Sequence, residues 1–175
     1  MVFVVEIICA ILLVCLLFVI RLYVVVKTGP NCRHGTKGPV AVLVVAGSGG
    51  HTTEILRLME CLSAVYTPRH YVIADTDMMS EEKISTFESS KRHSDSEPQV
   101  LCNGPGTCVP LCVGGLLLGI LGMKKVLIVY VESICRVQTL SLTGKILYPI
   151  SDYFFVQWSC LRDKYPKSIF FGRIV

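Results

Sequence analysis

The strongest fold signal in the chain lies in residues 40–66, which read VAVLVVAGSGGHTTEILRLMECLSAVY. Residues 40–46 form a short apolar run rich in β-branched side chains, which is typical of a parallel strand buried on both faces. A glycine-rich turn follows, and residues 52–66 then repeat apolar side chains at the 3.6-residue period of a helix. A buried strand, a glycine turn and a helix in this order predict the first unit of an open parallel α/β sheet.

The same alternation continues to the end of the chain. Further strands are predicted at residues 71–74, 100–102, 126–131, 153–156 and 169–171. Further helices are predicted from Ser80, as the N-cap, and at residues 110–121, 140–147 and 161–164. Residues 89–98 are polar and are predicted to form a loop. We therefore expect an α/β domain with a Rossmann-like parallel sheet and right-handed crossovers.

The chain divides into an anchor at residues 1–27, a Gly/Pro-rich linker at 28–39 and a cytosolic body at 40–175. Residues 7–20 of the anchor are uninterrupted apolar, and with its apolar flanks the run is long enough to span a hydrocarbon core of about 30 Å. The basic residues that follow the run are Arg21, Lys27, Arg33 and Lys37. This charge asymmetry predicts a single span with a lumenal N-terminus and a cytosolic body.

Charge and cysteine content exclude several classes of protein. The net charge is +4, which is too small and too dispersed to indicate a nucleic-acid partner. The nine cysteines include no CxxC pair, so neither a zinc site nor another metal or cofactor site is expected. Their scattered, odd-numbered placement indicates free buried thiols in a reducing compartment.

Two glycine-rich turns fall where predicted strands end, which is where open parallel sheets bind ligands. The residues of the first turn are Gly47, Ser48, Gly49, Gly50 and His51. The second turn, residues 104–107, contains Gly104, Gly106 and Thr107 and directly follows Asn103. Gly47, Gly49 and Gly50 let backbone N–H groups approach a phosphate, and the helix from Thr52 directs its positive N-terminus at the same place. The pattern predicts a phosphate or diphosphate site, and the alternative is a tight turn without a ligand.

Two further residues are candidates for chemistry. His51 could act as a general base or donate to a phosphate, although a lone histidine is more often a turn residue. Glu132 ends a predicted strand and could bind a sugar hydroxyl, or it could be a solvated strand end. The first turn also keeps a dinucleotide reading open, because Asp75 lies where a ribose-binding acid would. Against that reading, Thr52 stands where the sixth residue of GxGxxG should be glycine.

The sequence closely resembles the membrane-anchoring subunit of the eukaryotic UDP-N-acetylglucosamine transferase of asparagine-linked glycosylation. The motifs that carry the resemblance are GSGGHTTEILRL at 47–58, NGPGT at 103–107 and VYVESICR at 129–136. Similarity runs over residues 1–94 and 100–175. The first motif and the strand before Glu132 are also similar, more distantly, to the acceptor half of the bacterial transferase that makes the lipid-linked peptidoglycan precursor.

The resemblance implies half of a GT-B glycosyltransferase that is not an enzyme on its own. A soluble catalytic chain supplies the UDP-GlcNAc site and docks at the cytosolic face of the endoplasmic reticulum membrane. The enzyme adds the second GlcNAc to GlcNAc-diphospho-dolichol. By motif, the two glycine turns with Asn103 face the acceptor diphosphate, and Glu132 lies near the sugar.

The C-terminal stretch of the family holds the catalytic partner, which here implies Gly172, Arg173, Ile174 and Val175. Two other classes stay open from the residues alone. One is a self-sufficient, membrane-bound nucleotide-dependent enzyme such as a dehydrogenase, and the other is a bare membrane adaptor without a ligand.

One departure from the family lies near residues 95–100. The family has several tens more residues between the equivalents of Pro98 and Val100. We expect their absence to leave a truncated third strand and to expose apolar surface near Val100 and Leu111.

Overall fold

The computed structural model describes residues 2–27, 40–47, 49–63, 65–89, 97–104, 106–123, 126–170 and 172–173. For residues 97–99 it describes the backbone but not the side chains. The expected linker at 28–39 lies outside the described residues, as do Ser48, Ile174, Val175 and residues 90–96. Residues 90–96 lead to the point near residues 95–100 where the family has additional residues, and this point is called the join below.

The first element is a single long apolar helix, α1 (Val2–Lys27). Its 26 residues extend about 39 Å at 1.5 Å per residue, which exceeds the thickness of a bilayer core. None of its residues is buried against the body. Among the described residues it is the one helix long and apolar enough to cross a membrane.

The body contains one six-stranded, fully parallel sheet. Its strands are β1 (Val40–Val45), β2 (Arg69–Val72), β3 (Glu97–Asn103), β4 (Leu127–Val131), β5 (Tyr153–Val156) and β6 (Ile169–Phe170). They lie in the order β2-β1-β3-β4-β5-β6. This confirms the predicted α/β class and the parallel sheet.

The strands alternate with five helices. These are α2 (Gly50–Glu60), α3 (Met78–Glu88), α4 (Cys108–Ile120), α5 (Leu142–Leu147) and α6 (Ser159–Lys164). Helices α2 and α3 cover one sheet face, here called the α2 face, whose core includes Val44, Ile55 and Ile84. Helices α4, α5 and α6 cover the opposite α4 face, whose core includes Cys112 and Leu161. The body is therefore a three-layer sandwich.

The third strand is a full central strand, and the expected truncation is wrong. Residues 97–103 of β3 pair with β1 on one side and with β4 on the other. Val100, expected near newly exposed surface, is only 4% exposed, and Leu111 is half-buried against the same core. Backbone pairing extends the strand from Val100 back to Glu97, so that Glu97 and Pro98, which polarity assigned to a loop, belong to β3.

Three local expectations also need correction. Helix α2 ends at Glu60 rather than at residue 66, because the Val65 carbonyl accepts a 2.7 Å hydrogen bond from the Val40 N–H and so closes the chain against β1. The N-cap of α3 is Asp77, whose carboxylate accepts from the Ser80 N–H at 3.1 Å. Not all thiols are buried, since Cys61 and Cys135 are exposed.

The connection between β2 and β3 has an unusual hand. Helix α2 connects β1 to β2 in one direction across the sheet, whereas α3 connects β2 to β3 in the opposite direction on the same face. The connections from β3 to β6 run in this second direction on the α4 face. The described part of the β2–β3 connection therefore has the opposite hand to the others. Parallel crossovers are right-handed in about 98% of cases, so the expectation of uniform handedness fails at this one place.

Candidate functional site

The two glycine turns meet where the strand order reverses. From β1 the chain moves to β2 on one side, and from β3 it moves to β4 on the other, although β1 and β3 are neighbours. Crevices at the carboxyl ends of strands at such a switch point are the usual ligand sites of open α/β sheets. The structure thus brings together the two turns that lie about fifty residues apart in the sequence.

The first turn leads into α2 through Gly49, which has φ +65°. This left-handed region favours glycine, because a Cβ is strained there. Within the described part of the chain, no side chain caps this helix, which begins at Gly50. The N–H groups of its first turn therefore lack both intrahelical partners and a side-chain cap, as an anion site requires.

The second turn packs directly on the first. Gly104 has φ +68°, and a Cβ built on it would lie 2.9 Å from Cε1 and 3.0 Å from Nδ1 of His51. The imidazole of His51 therefore rests against the Gly104 backbone. Beyond it, Gly106 and Thr107 are exposed, and α4 begins at Cys108 with no side-chain capping bond from Thr107. Two helix N-termini thus open on one crevice.

A buried polar bridge supports both turns. Glu54 of α2, 8% exposed, accepts hydrogen bonds from the Asn103 Nδ2 at 3.2 Å and from the Ser133 hydroxyl at 3.2 Å. The bridge links α2 to the ends of β3 and β4. Sequence reasoning missed Glu54 and Ser133. A signal existed for Glu54, since an acid beside Ile55 and one turn before Leu58 lies at the edge of the apolar stripe of α2.

Two buried polar atoms at the crevice lack a hydrogen-bond partner within the described part of the chain. They are His51 Nδ1 and Asn103 Oδ1. Buried polar atoms are nearly always hydrogen-bonded, so such orphans call for a partner. Asn103 Oδ1 can only accept, whereas His51 Nδ1 donates or accepts according to its protonation state. A ligand that carries both donors and acceptors would satisfy the pair.

Glu132 ends β4 as predicted, but it is not a solvated strand end. It is 0% exposed, and its Oε2 accepts from the Ser141 N–H at 3.0 Å and from the Ser141 hydroxyl at 3.1 Å. Its Oε1 accepts from the Ser133 N–H at 3.1 Å. Burial raises the pKa of the Glu132 carboxyl, against these hydrogen bonds, which lower it. Any side chain at Gly144 would collide with this carboxylate, so the start of α5 is built around it.

The start of the C-terminal segment packs on the body. The Arg173 guanidinium lies 4.3 Å from the centre of the Trp158 ring, and the Trp158 indole N–H donates to the Ile134 carbonyl at 2.7 Å. Gly172 has φ +84° and turns the chain toward this contact. Trp158 therefore serves as a docking surface for Arg173.

Helix α4 joins the crevice to the anchor. Its N-terminus faces the second glycine turn, and at its other end the Ile120 carbonyl accepts a 3.2 Å hydrogen bond from the Arg21 Nε–H of α1. The 13 residues of α4 extend about 20 Å. The crevice therefore lies about one short helix away from the contact between α4 and Arg21 of α1.

Comparisons with known proteins agree on one family. A family model described as "Oligosaccharide biosynthesis protein Alg14 like" matches residues 42–99 and 93–174. The chain is 48% identical over 206 residues to the UDP-N-acetylglucosamine transferase subunit ALG14 of Homo sapiens, which covers 93% of this chain and 94% of the human protein. It is 47% identical to the Rattus norvegicus subunit of the same name over 203 residues, covering 91% and 93%. No solved structure matches.

A more distant relative is the subunit of the same name from Saccharomyces cerevisiae, 32% identical over 201 residues, which covers 85% of this chain and 84% of the yeast protein. The aligned regions of the human and rat subunits are longer than this chain of 175 residues. These relatives therefore carry residues that have no counterpart here. The two segments matched by the family model overlap at residues 93–99, which puts the join between α3 and β3.

Proposed function

This chain belongs to the Alg14 family of UDP-N-acetylglucosamine transferase subunits in dolichol-linked oligosaccharide biosynthesis, and we propose that within such an enzyme it anchors the complex and holds the lipid-linked acceptor. The acceptor is GlcNAc-diphospho-dolichol, which receives the second GlcNAc of asparagine-linked glycosylation. A soluble chain supplies the UDP-GlcNAc site and the catalytic machinery.

The observation that carries this proposal is the convergence of two uncapped helix N-termini on one crevice. Gly49 directly precedes α2 and Gly104 lies just before α4, and the two turns are in contact where the His51 ring rests on Gly104. Two such termini suit two phosphates, because each offers free N–H donors and a positive dipole end. The orphan atoms of His51 and Asn103 match the hydroxyl and acetamido groups of an N-acetylhexosamine, which donate as well as accept.

The carboxylates around the crevice support a binding role rather than a catalytic one. Glu54 and Glu132 are both buried and are both engaged by hydrogen bonds inside the chain. A general base must reach the proton that it removes, and neither carboxylate is free to do so. His51 is the titratable side chain of the two turns that faces the crevice. Glu132 then positions the start of α5 through Ser141, and the transfer step belongs to the partner.

The anchor supports a location at the cytosolic face of the endoplasmic reticulum membrane. With Arg21 at the cytosolic end of α1, the hydrogen bond to Ile120 holds α4 beside the bilayer surface. The length of α4, about 20 Å, is the greatest separation that this helix can place between the crevice and the Arg21 contact, which keeps the crevice near the membrane that holds the lipid tail of the acceptor. This geometry favours a membrane-bound acceptor over a freely diffusing nucleotide.

A reconstituted transfer assay tests the proposal. The full-length chain in vesicles is mixed with the soluble catalytic chain, UDP-GlcNAc and a GlcNAc-diphospho-prenol acceptor, and disaccharide formation is measured. We expect transfer when both chains are present and none with either chain alone.

Two results would contradict the proposal. Transfer by this chain alone would make it the self-sufficient enzyme. Full activity with the soluble chain when this chain is replaced by an unrelated membrane tether of the same length would make it a bare adaptor. A direct binding measurement also separates the two roles. An acceptor-side subunit binds the acceptor analogue without its partner, whereas a bare adaptor does not.

A further inference from the structure

The carboxylate of Glu54 is held in place by donors on both of its oxygens. Its Oε1 accepts a 3.2 Å hydrogen bond from the Ser133 hydroxyl, and its Oε2 accepts a 3.2 Å hydrogen bond from the Asn103 Nδ2. The Ser133 oxygen in turn accepts from the Cys135 N–H at 3.4 Å, so the hydroxyl proton is directed at Glu54. Glu54, Asn103 and Ser133 are each at most 8% exposed. Glu54 is therefore a fixed, buried acceptor beside the crevice.

This fixed carboxylate determines how the Asn103 amide is turned. A carboxylate only accepts hydrogen bonds, so the nitrogen of the amide must face Glu54 and the oxygen must face away from it. Asn103 Oδ1 is the atom without a hydrogen-bond partner among the described residues, although Asn103 is only 2% exposed. A buried acceptor without a partner is costly, so this orientation is one that calls for a donor from a bound molecule.

We propose that Glu54 is a positioning residue that presents Asn103 Oδ1 to the acetamido N–H of the acceptor sugar, so that Asn103 selects an N-acetylamino sugar. The inference rests on the proposed function, which brings the sugar and diphosphate of the lipid-linked acceptor into the crevice. It assigns Asn103 to the sugar, whereas the family resemblance places this residue at the diphosphate.

The groups around Asn103 disfavour the diphosphate as its partner. An ionised diphosphate presents oxygen acceptors, and Asn103 Oδ1 is itself an acceptor. The amide nitrogen, which could donate to a phosphate, is directed at Glu54 instead. The negative charge of the Glu54 carboxylate would also repel a phosphate at this position. The partner of Asn103 Oδ1 is therefore a group of the ligand that donates.

The acetamido N–H is the donor of the sugar that matches this acceptor. It only donates, as Asn103 Oδ1 only accepts, whereas a sugar hydroxyl does both and matches the dual character of His51 Nδ1. The acetamido group lies on the sugar carbon next to the one that carries the diphosphate. Asn103 has the corresponding place in the protein, because it directly precedes Gly104 of the second turn.

A pair of acceptors tests the specificity. The full-length chain in vesicles, with the soluble chain and UDP-GlcNAc, receives GlcNAc-diphospho-prenol or an analogue in which an ester oxygen replaces the acetamido nitrogen. The analogue keeps the acetyl group but has no N–H. We expect the parent to prefer the natural acceptor by about tenfold or more in kcat/KM, because the analogue leaves Asn103 Oδ1 unpaired. Equal use of the two acceptors overturns the assignment, whereas transfer to neither overturns the proposed function itself.

Glu54→Gln tests the positioning role. The new glutamine can accept from the Ser133 hydroxyl and donate to Asn103 at the same time only if the Asn103 amide turns and presents its nitrogen to the ligand. We expect the preference for the natural acceptor to fall to about twofold or less. This preference is a ratio measured on one enzyme, so a smaller folded fraction does not change it. Glu60→Gln makes the same change on the exposed surface of α2 and should keep the preference of the parent. An unchanged preference in Glu54→Gln overturns the positioning role.

A double variant moves the carboxylate from one residue to the other. In Glu54→Gln combined with Asn103→Asp, the new glutamine donates to the new aspartate, whose second oxygen accepts the acetamido N–H, and we expect the preference to return. The negative charge then lies at position 103, where it would repel a diphosphate in contact with that residue. We expect the inhibition constant of sugar-free prenyl diphosphate to stay within about threefold of its value for the parent. A larger rise, or no return of the preference, overturns the assignment of Asn103 to the sugar.

Discussion

At the level of single residues, the glycines of the crevice fall into two groups. Gly104 is required by the protein itself, because its φ is +68° and a Cβ would meet the His51 ring. Gly50 and Gly106 are different, since a Cβ built on either finds no atom within 4 Å. No contact within the described residues explains why these two positions lack a side chain. The proposed diphosphate, which must approach the backbone closely, would account for it.

Substitution of these open glycines should block the acceptor without unfolding the protein. We expect Gly50→Val and Gly106→Val to remove the approach to phosphate and to weaken acceptor use by on the order of 2–4 kcal/mol, the scale of one or two charge-assisted hydrogen bonds. The measurement is the dependence of GlcNAc transfer on acceptor concentration.

Gly114→Val on α4 is the matched control, because its Cβ also enters open space but lies away from both turns. Binding of the soluble chain should be unchanged in all three variants. Normal transfer by Gly50→Val would show that the first turn does not hold the diphosphate.

The buried carboxyl of Glu132 predicts a pH dependence of stability. Burial raises its pKa above the ordinary value of about 4.5, so the folded state holds the proton more tightly than the unfolded state does. Its contribution to stability is therefore fully present below about pH 4.5 and is lost as the pH rises through the folded-state pKa. Glu132→Gln keeps a neutral side chain of the same shape, so the difference in Tm, variant minus parent, should become more positive from pH 4.5 to 7.5.

Exposed Glu60 provides the control for this measurement, since Glu60→Gln changes the same chemical group on the surface of α2. Its Tm difference should be nearly independent of pH. If the difference for Glu132→Gln stays flat or falls with rising pH, then the hydrogen bonds from Ser133 and Ser141 outweigh the desolvation of the carboxylate.

At the level of secondary-structure elements, α4 has two functional ends. Its N-terminus forms half of the crevice, and its C-terminus binds Arg21 of the anchor. The last strand, β6, similarly connects the body to the C-terminal segment, which rests on Trp158 through Arg173. The proposed binding functions therefore lie at the termini of rigid elements, where backbone groups and chain ends are available.

Removal of residues 172–175 should affect association more than folding. The described contact of this segment is one exposed cation–π pair, which is worth about 0.5–1 kcal/mol to the fold. We expect a small change in Tm and a much larger loss of co-purified soluble chain. Arg173→Lys keeps the positive charge but removes the planar stacking on Trp158, so we expect an intermediate loss of co-purified soluble chain. Unchanged co-purification after the truncation would exclude this segment from the interface.

At the level of the whole molecule, the anchor and the join determine how the fold is presented. Helix α1 contacts the α4 side of the body, so the α4 face lies on the same side of the sheet as the anchor and the α2 face lies on the other. The β2–β3 connection has the rare hand, and an open strip lies on the α4 face at Leu43 and Val72.

The anchor predicts a defined topology. Deletion of residues 2–26 should release the body from membranes, because α1 is the described element that can span one. In sealed microsomes the body of the full-length chain should be digested by added protease, since the basic residues after α1 favour the cytosolic side. Protection of the body in intact microsomes, with digestion only after detergent is added, would reverse the orientation.

Restoring the residues that relatives carry at the join should stabilise the protein. The additional residues must lead the chain from β2 across β1 to β3, and a right-handed connection in this direction runs on the α4 face, as the β3–β4 connection does. Such a connection would bury apolar surface at β1 and β2. Burial of a few hundred Å² at about 25 cal/mol per Å² amounts to several kcal/mol. That is a large part of the roughly 5–15 kcal/mol stability of a domain. The measurement is a side-by-side thermal melt and transfer assay. Equal melting and equal turnover would show that the missing segment is dispensable.

Local pattern was sufficient for much of this protein. The β-branched run of β1, the helical period of α2 and the apolar length of α1 identified the elements, because hydrophobic periodicity acts over a few neighbouring residues. The glycines at 47–50 and 104–106 predicted two turns at strand ends, since the conformational freedom of glycine is also a local property. That a ligand binds at this edge of the sheet stays a prediction.

Long-range contacts decided the rest. The hydrogen bonds from Asn103 and Ser133 to Glu54 join residues 49 and 79 positions apart, and no local pattern encodes them. The burial of Glu132 depends on where α5 begins, and the length of β3 depends on two neighbouring strands. The rare hand of the β2–β3 connection depends on the order of the strands and on the face that each helix covers. Strand order and helix placement exist only once the sheet has assembled, because they are properties of distant segments packed together.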